Sequence, residues 1–254
     1  MIERTFDLIN NDGVAYTLTY VDSFTGFMYG VNGLGTEHKA TYQKIGDEYA
    51  LTRDEINQGK ISGSIFFMSA YPYQEYLRFS NFCQDNQLQL HYRTPAGDFY
   101  RDGTVSKIEK NENGGAMKVK VVFTCSSLWY KDISNTATGN IIEINSESSK
   151  ESPCHISFKP SSTITALSWA QSVDGVSVIT GGLSSINVTD TQTIHIRTDT
   201  NPYKIYRDTE STNYYSKSDF STGRFVLLKK GVNTLSFSVN GTIEIEGRIL
   251  YETV

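Results

Sequence analysis

The spacing of apolar residues between positions 73 and 125 limits what this chain can fold into, because a helical period is followed at once by the two-residue period of a strand. From Tyr73 onward, at about 100° per residue, apolar side chains fall on one arc and polar ones on the other. Pro72 suits the first position of a helix, where its missing N–H would be unpaired anyway, and Ser69 lies where it can start the first turn. The pattern therefore predicts one amphipathic helix. Its apolar arc comprises Tyr73, Tyr76, Leu77, Phe79 and Cys83.

After Asn86 the apolar residues alternate instead. Leu88, Leu90 and Tyr92 occupy every second position, which is typical of a half-buried strand. Turn residues at 94–97 and 111–115 then separate two further runs, which end at residue 125. The segment predicts a helix that leads into an antiparallel meander of three strands.

Composition extends the β interpretation to the whole chain. Sixteen Tyr and thirteen Phe, with abundant Thr, Ser and Val, favour strands in a chain of 254 residues, long enough for two domains. Residues 131–140 are polar, as in a linker or an exposed crossing, so we predict a mainly β protein with domains at 1–132 and 133–254. Short strands recur in the second half, as in a β-sandwich. Asn240-Gly241, between two alternating runs, predicts a hairpin turn.

Charge and apolar runs exclude several functional classes. The net charge is −5 and the basic residues form no stripe, which argues against nucleic-acid binding. No apolar run approaches the roughly 18 residues needed to cross a bilayer, and charged residues in Met1–Asn10 argue against a signal peptide. We expect a chain made in the cytoplasm. Cys83, Cys125 and Cys154 lack ligand or disulfide spacing and are expected to be buried thiols.

Neither metal-binding nor catalytic spacing is evident. The four histidines, His38, His91, His155 and His195, are far apart, so a metal site would require distant residues to meet by folding. Glu244 and Glu246 form the nearest carboxylate pair, but a solvated strand face beside Ile243 and Ile245 explains them. We predict no catalytic, cofactor-binding or metal-binding residues and a protein that is not an enzyme.

Two segments are candidates for contact with other molecules. The stretch Tyr42–Leu51 predicts a hairpin across Gly46-Asp47 that cannot bury a face by itself. Core packing or a protein interface is the expected use of the aromatic residues Tyr203, Tyr206, Tyr214 and Tyr215, which are the candidates for docking a partner protein. Aromatic rings also stack on sugars, so a carbohydrate-binding β-sandwich that contacts host cell-wall polysaccharide stays open as an alternative.

The order of these signals resembles the distal tail protein family of siphophages, the Dit or baseplate hub proteins. The resemblance spans nearly the whole chain and depends on five short features. They are the Gly-rich loop 27–35, the strand 60–67 that leads into Tyr73-Gln-Glu-Tyr-Leu77, the meander 88–123, Trp129-Tyr130, and the C-terminal run 225–237 with its Gly231-Val-Asn233 turn.

The resemblance implies a virion protein with no cofactor. Its N-terminal β domain, with one helix and a projecting hairpin, would close a homo-hexameric ring, and its C-terminal domain would be a galectin-like sandwich. The implied partners are the tail tube protein, the tail tip or tail-associated lysin protein, and baseplate or receptor-binding proteins. Galectin sugar-binding residues do not carry over, because Ile194-His-Ile-Arg197 lacks the expected Asn. Edge-strand pairing makes the hairpin the expected subunit interface. Its candidate residues are Tyr42, Lys44, Ile45, Tyr49 and Leu51.

Overall fold

The computed structural model describes residues 4–18, 26–67, 70–84, 87–113, 116–219 and 225–254. The chain divides into two compact units. The first comprises Met1–Tyr130 with Glu252–Val254, and the second comprises Lys131–Tyr251. Ser69 and Asn86, which bracket the predicted helix, lie outside the described residues, as do residues 114 and 115 of the second predicted turn.

The first unit is built from antiparallel strands and one helix among its described residues. Aromatic and β-branched residues at alternate positions favour these strands because they pack well on a pleated surface. The elements are β1 (Thr5–Asn10), β2 (Ala15–Thr17), β3 (Phe27–Asn32), β4 (His38–Ile45), β5 (Glu48–Ile56), β6 (Lys60–Phe67), α1 (Pro72–Phe82), β7 (Leu88–Thr94), β8 (Gly97–Asn113) and β9 (Ala116–Cys125).

Seven of these strands form a continuous sheet in the order β2-β1-β7-β8-β9-β6-β3. The backbone N–H of Met28 in β3 donates to the carbonyl of Leu18, just after β2, at 2.8 Å, so the two edges of the sheet meet. The predicted meander is confirmed as β7, β8 and β9, with Thr94 paired to Gly97 across its first turn. Ile61, Ile65 and the other inward side chains of β6 lie in the core.

The predicted helix is confirmed, but its apolar arc is only partly buried. Phe79 is fully buried and lies 6.0 Å from Phe67 and 5.4 Å from Tyr16, ring to ring. Tyr73 and Leu77 are 52% and 41% exposed, which corrects their assignment to the core face. At 100° per residue they lie roughly 120–160° around the helix from Phe79, beyond the strip that a sheet contact covers. None of the described helices has the length and apolar content to cross a membrane.

The second unit contains the remaining strands. β10 (Trp129–Ser146) begins at the end of the first unit and continues through residues 131–140, so this segment is an exposed strand and not an irregular linker. That segment forms a strand despite its polar composition because most of its side chains face solvent. The others are β11 (Ser152–Pro160), β12 (Leu167–Val173), β13 (Val176–Leu183), β14 (Ile194–Arg197), β15 (Lys204–Arg207), β16 (Thr209–Asn213), β17 (Ser218–Asp219), β18 (Leu227–Leu228) and β19 (Gly231–Tyr251).

Strand β19 belongs to two sets of strands. Its first part, Asn233–Phe237, pairs with β12, which pairs in turn with β13. Its second part, Gly241–Gly247, pairs with β11, which is followed by β14 and β15. The hairpin predicted at Asn240-Gly241 is therefore wrong, because the chain changes partner there without reversing. A Cβ at Gly241 would lie 2.4 Å from the carbonyl oxygen of Lys159, so glycine permits this close crossing.

Both sets of strands contribute to one hydrophobic core. Side chains of β11 and β19 alternate between buried and exposed, as expected of strands with one solvated face. Phe158 of β11 stacks on Phe237 of β19, with ring centroids 4.7 Å apart. Ile156 and Ile245 are fully buried beside them. The second unit thus has a core of its own.

Candidate assembly surface

The hairpin formed by β4 and β5 is a separate two-stranded sheet among the described residues. Ile45 pairs with Glu48 across the turn, where Gly46 has a φ of +64°. Glycine suits this turn because it adopts positive φ without steric cost. The predicted hairpin is confirmed, and it extends from His38 to Ile56, well beyond the stretch that the sequence indicated.

The register of the hairpin gathers its large apolar side chains on one face. Tyr42 lies opposite Leu51, and Lys44 lies opposite Tyr49. Directly paired residues share a face, as do residues two apart in one strand, so these four side chains project together. Tyr42, Tyr49 and Leu51 are 58%, 68% and 54% exposed. We call these four residues the hairpin face; Ile45, 62% exposed, lies on the opposite side at the tip.

A β-bulge keeps the hairpin face apolar. Thr41 pairs with Arg53, whereas Tyr42 pairs with Leu51, so Thr52 is the extra residue. The Thr52 hydroxyl donates to the Thr41 carbonyl at 2.9 Å and supports the bulge. Without it, Arg53 would project beside Tyr42 and Leu51. With the bulge, Arg53 projects on the opposite side of the hairpin, where it pairs with Glu55.

The loop before the hairpin packs closely against Lys60 and Trp129. Gly33 has a φ of +85°, and a Cβ there would lie 2.0 Å from the carbonyl oxygen of Lys60. The indole N–H of Trp129, which is fully buried, donates to the carbonyl of Leu34 at 2.8 Å. The hairpin therefore projects from a fixed base while most of its own residues are exposed.

Such a hairpin favours association. An isolated two-stranded sheet is marginally stable in water, and its outer edges carry backbone groups ready to pair with another strand. Contiguous exposed apolar side chains are typical of a protein interface. The hairpin face thus combines two features of an assembly surface.

A second apolar surface, which the sequence interpretation missed, lies at helix α1. Tyr71, Tyr73 and Leu77 are 67%, 52% and 41% exposed. The ammonium of Lys110 lies 4.8 Å from the ring centroid of Tyr73 and 5.4 Å from that of Tyr76, which orients these rings by cation–π attraction. We call Tyr71, Tyr73 and Leu77 the helix face. The helical period indicated an apolar arc, but only the packing shows which part of it stays exposed.

The four candidate aromatic residues of the second unit fall into two groups. Tyr206 and Tyr214 are each 8% exposed, so they cannot offer their rings to a partner, which corrects that prediction. Tyr214 belongs to the hydrophobic core, whereas Tyr206 lies on the other face of β15, where it stacks on His195 with ring centroids 4.8 Å apart. Tyr203 and Tyr215 are exposed and converge on Phe225, at 5.1 Å and 6.3 Å between ring centroids. A cavity of about 560 Å³ lies between these three rings.

The nearest carboxylate pair lies on a solvent-exposed strand face, as the sequence predicted. Glu244 and Glu246 are exposed on β19, while Ile243 and Ile245 on its other face are fully buried. A solvated strand face accounts for both acids.

The comparisons with known proteins agree with this architecture. Residues 5–126 match the family model of the distal tail protein, N-terminal domain. No curated protein sequence matches the chain significantly.

Solved structures show the same fold over the whole length. The Dit protein of phage SPP1, described as a paradigm of the hub adsorption apparatus in phages that infect Gram-positive hosts, is 15% identical. The alignment covers 96% of this chain and 99% of that protein, with a TM-score of 0.70. A chain of the phage P2 baseplate, in its activated conformation with Ca, is 14% identical over 99% of this chain and 100% of its own, with a TM-score of 0.60. The N-terminal part of the chain thus matches the distal tail protein family, and the chain as a whole shares the fold of the SPP1 Dit protein.

Proposed function

We propose that this protein is a structural hub of the phage tail, which assembles into a ring through its first unit. The observation that carries the proposal is the hairpin face, with three large apolar side chains each more than half exposed. If a neighbouring subunit covered these side chains, their apolar surface would be removed from water, which favours association.

Ring closure needs two different surfaces on each subunit. A head-to-tail interface joins one patch to another patch of the next copy, and a suitable rotation closes the ring. The hairpin face supplies one such patch, and the helix face is our candidate for the other, since both lie in the first unit and both are rich in exposed tyrosine. We propose six copies, in line with the family resemblance.

The hub has a positioning role and no catalytic one. The ring would continue the tail tube, hold the tail tip or tail-associated lysin protein, and dock baseplate or receptor-binding proteins in the virion. The second unit, a galectin-like sandwich in this proposal, would face those outer partners. Tyr203 and Tyr215, beside Phe225, are its exposed aromatic candidates for docking.

The test is the mass of the assembled protein. Light scattering across a concentration series should show a species of about six chain masses, each of 28.5 kDa, with rings in negative-stain images. The same measurement should be made with the tube and tip proteins added. A monomer in both conditions, without rings, would overturn the proposal.

A second candidate function is recognition of host cell-wall polysaccharide. The cavity between Tyr203, Tyr215 and Phe225 favours it, because aromatic rings stack on the apolar faces of sugars. Calorimetry with purified host polysaccharide should give a binding heat that Tyr215→Ala abolishes. If the wild-type protein gives no heat and binds nothing on a glycan array, this candidate is rejected.

A further inference from the structure

Folding brings together two histidines that lie 40 residues apart in the sequence. His155 in β11 and His195 in β14 lie on the outer side of the second unit, and both are half-buried. The Nε2 of His155 is 3.0 Å from the Nδ1 of His195. The hydroxyl of Ser157 is 3.3 Å from the first nitrogen and 3.1 Å from the second. Three ligand-type atoms therefore form a nearly equilateral triangle.

The size of this triangle suits a transition metal ion. Zinc binds imidazole nitrogen at about 2.0–2.1 Å, which separates two such ligands by roughly 2.9 Å at a right angle and roughly 3.3 Å at the tetrahedral angle. The observed 3.0 Å lies within that interval.

A carboxylate lies where it favours the required tautomer of His155. The Oε2 of Glu246 is 3.8 Å from the Nδ1 of His155. An N–H at Nδ1 directed to this carboxylate leaves the Nε2 lone pair facing His195. Histidine ligands commonly donate their second N–H to a carboxylate, which fixes the ring and raises its basicity.

The charges around the pair suit a divalent cation. The guanidinium of Arg197 is held by both carboxylate oxygens of Asp199, at 3.0 and 2.7 Å, so a carboxylate offsets its charge. The cleft that gives access to His155 has a volume of about 730 Å³, and its lining carries the carboxylates of Asp132, Asp199 and Glu246 beside the guanidinium groups of Arg197 and Arg248, so carboxylates outnumber cations there. Burial lowers the pKa of both imidazoles; Arg197 lowers that of His155 further, and His155 lowers that of His195.

We propose that His155, His195 and Ser157 form a binding site for a divalent transition metal, with zinc as the representative ion. Two imidazoles and a hydroxyl favour zinc, copper or nickel over calcium and magnesium, which prefer sites made of oxygen ligands. Among the described residues, no three His, Cys, Asp or Glu side chains converge to hold a metal by themselves. Water would complete the coordination. A bound ion would join β11 to β14 and stabilise the second unit.

Zinc titration of the whole protein tests the site. Calorimetry at pH 7.5 should show one zinc ion per chain, and cobalt should give visible absorption bands typical of a tetrahedral site. His155→Gln and His195→Gln should each weaken zinc binding at least about tenfold, since the water that replaces a lost imidazole is a weaker ligand. His38→Gln is the matched control, because His38 is also accessible but lies on the hairpin, and it should bind zinc as the wild type does.

The wild-type protein gives a second readout that does not depend on the folding of the variants. In NMR spectra of the four imidazoles, zinc should shift the resonances of two histidines, assigned to positions 155 and 195. Zinc should also raise the melting temperature, and a chelator should reverse this. No binding up to millimolar zinc, or binding that persists in both variants, would overturn the proposal.

Discussion

The side-chain amide of Gln171 donates to the Oδ1 of Asn233 at 2.9 Å, inside the second unit, where neither residue is exposed to solvent. Asn233 lies in β19, just after the turn that joins β18 to β19, and its amide donates to the carbonyls of Lys229 and Gly231 at 2.7 and 3.1 Å. The backbone N–H of Lys229 donates to the same Oδ1. One buried side chain therefore shapes the turn and connects it to β12.

Replacing Asn233 with alanine should destabilise the protein strongly. The change leaves the Gln171 amide and the backbone groups of Lys229 with fewer partners in a buried place, at about 1–3 kcal/mol per unsatisfied group. We expect a loss of roughly 3 kcal/mol or more in the free energy of unfolding, measured by urea denaturation. Asn240→Ala, at an exposed position of the same strand, is the control and should change stability little.

Polar substitution of the hairpin face should prevent assembly and leave the subunit folded. The double substitution Tyr42→Ser with Tyr49→Ser removes two exposed rings. The free energy of unfolding of the monomer should therefore stay within about 0.5 kcal/mol of the wild-type value. Light scattering should show the ring lost or shifted to at least about tenfold higher concentration, since tyrosines are common hot spots of interfaces. Val176→Ser, at a 69% exposed position of the second unit, is the control. Unchanged assembly of the double variant would contradict the hairpin interface.

Gly33 and Gly30 should respond differently to alanine. Both have positive φ, at +85° and +60°, and each therefore incurs about 1–2 kcal/mol of backbone strain as alanine. A Cβ at Gly33 also meets the Lys60 carbonyl at 2.0 Å, whereas a Cβ at Gly30 meets open space. We expect Gly33→Ala to lower the melting temperature far more than Gly30→Ala. Equal decreases in melting temperature would contradict this prediction and show that the loop around Gly33 moves away from Lys60 without loss of stability.

The three thiols should be inert in the folded protein. Cys83, Cys125 and Cys154 are free and buried. Burial raises the pKa of Cys83 and Cys154 to about 12 and also raises the pKa of Cys125, so almost no thiolate exists at pH 8. A thiol reagent such as Ellman's should label none of them in native protein and all three after unfolding in guanidinium. Rapid labelling without denaturant would show local opening around the labelled cysteine.

Local patterns in the sequence predicted the elements whose partners lie nearby in the chain. The sequence predicted helix α1, the β7-β8-β9 meander and the β4-β5 turn. It could do so because each depends on the spacing of apolar residues and on turn residues within fewer than about twenty positions. The same logic was wrong at Asn240-Gly241. There, pairing with β11 and β12, far away in sequence, outweighs the local preference for a turn.

The sequence by itself thus determined the mainly β character, the one α-helix among the described residues and the absence of local metal-binding spacing. Only the tertiary structure decided which faces meet solvent and which distant residues meet each other. A bulge at Thr52 makes the hairpin face apolar, and strand pairing between β11 and β14 brings His155 to His195. The reason is physical: a one-residue shift in register reverses the direction of every following side chain, and register depends on partners that local sequence does not contain.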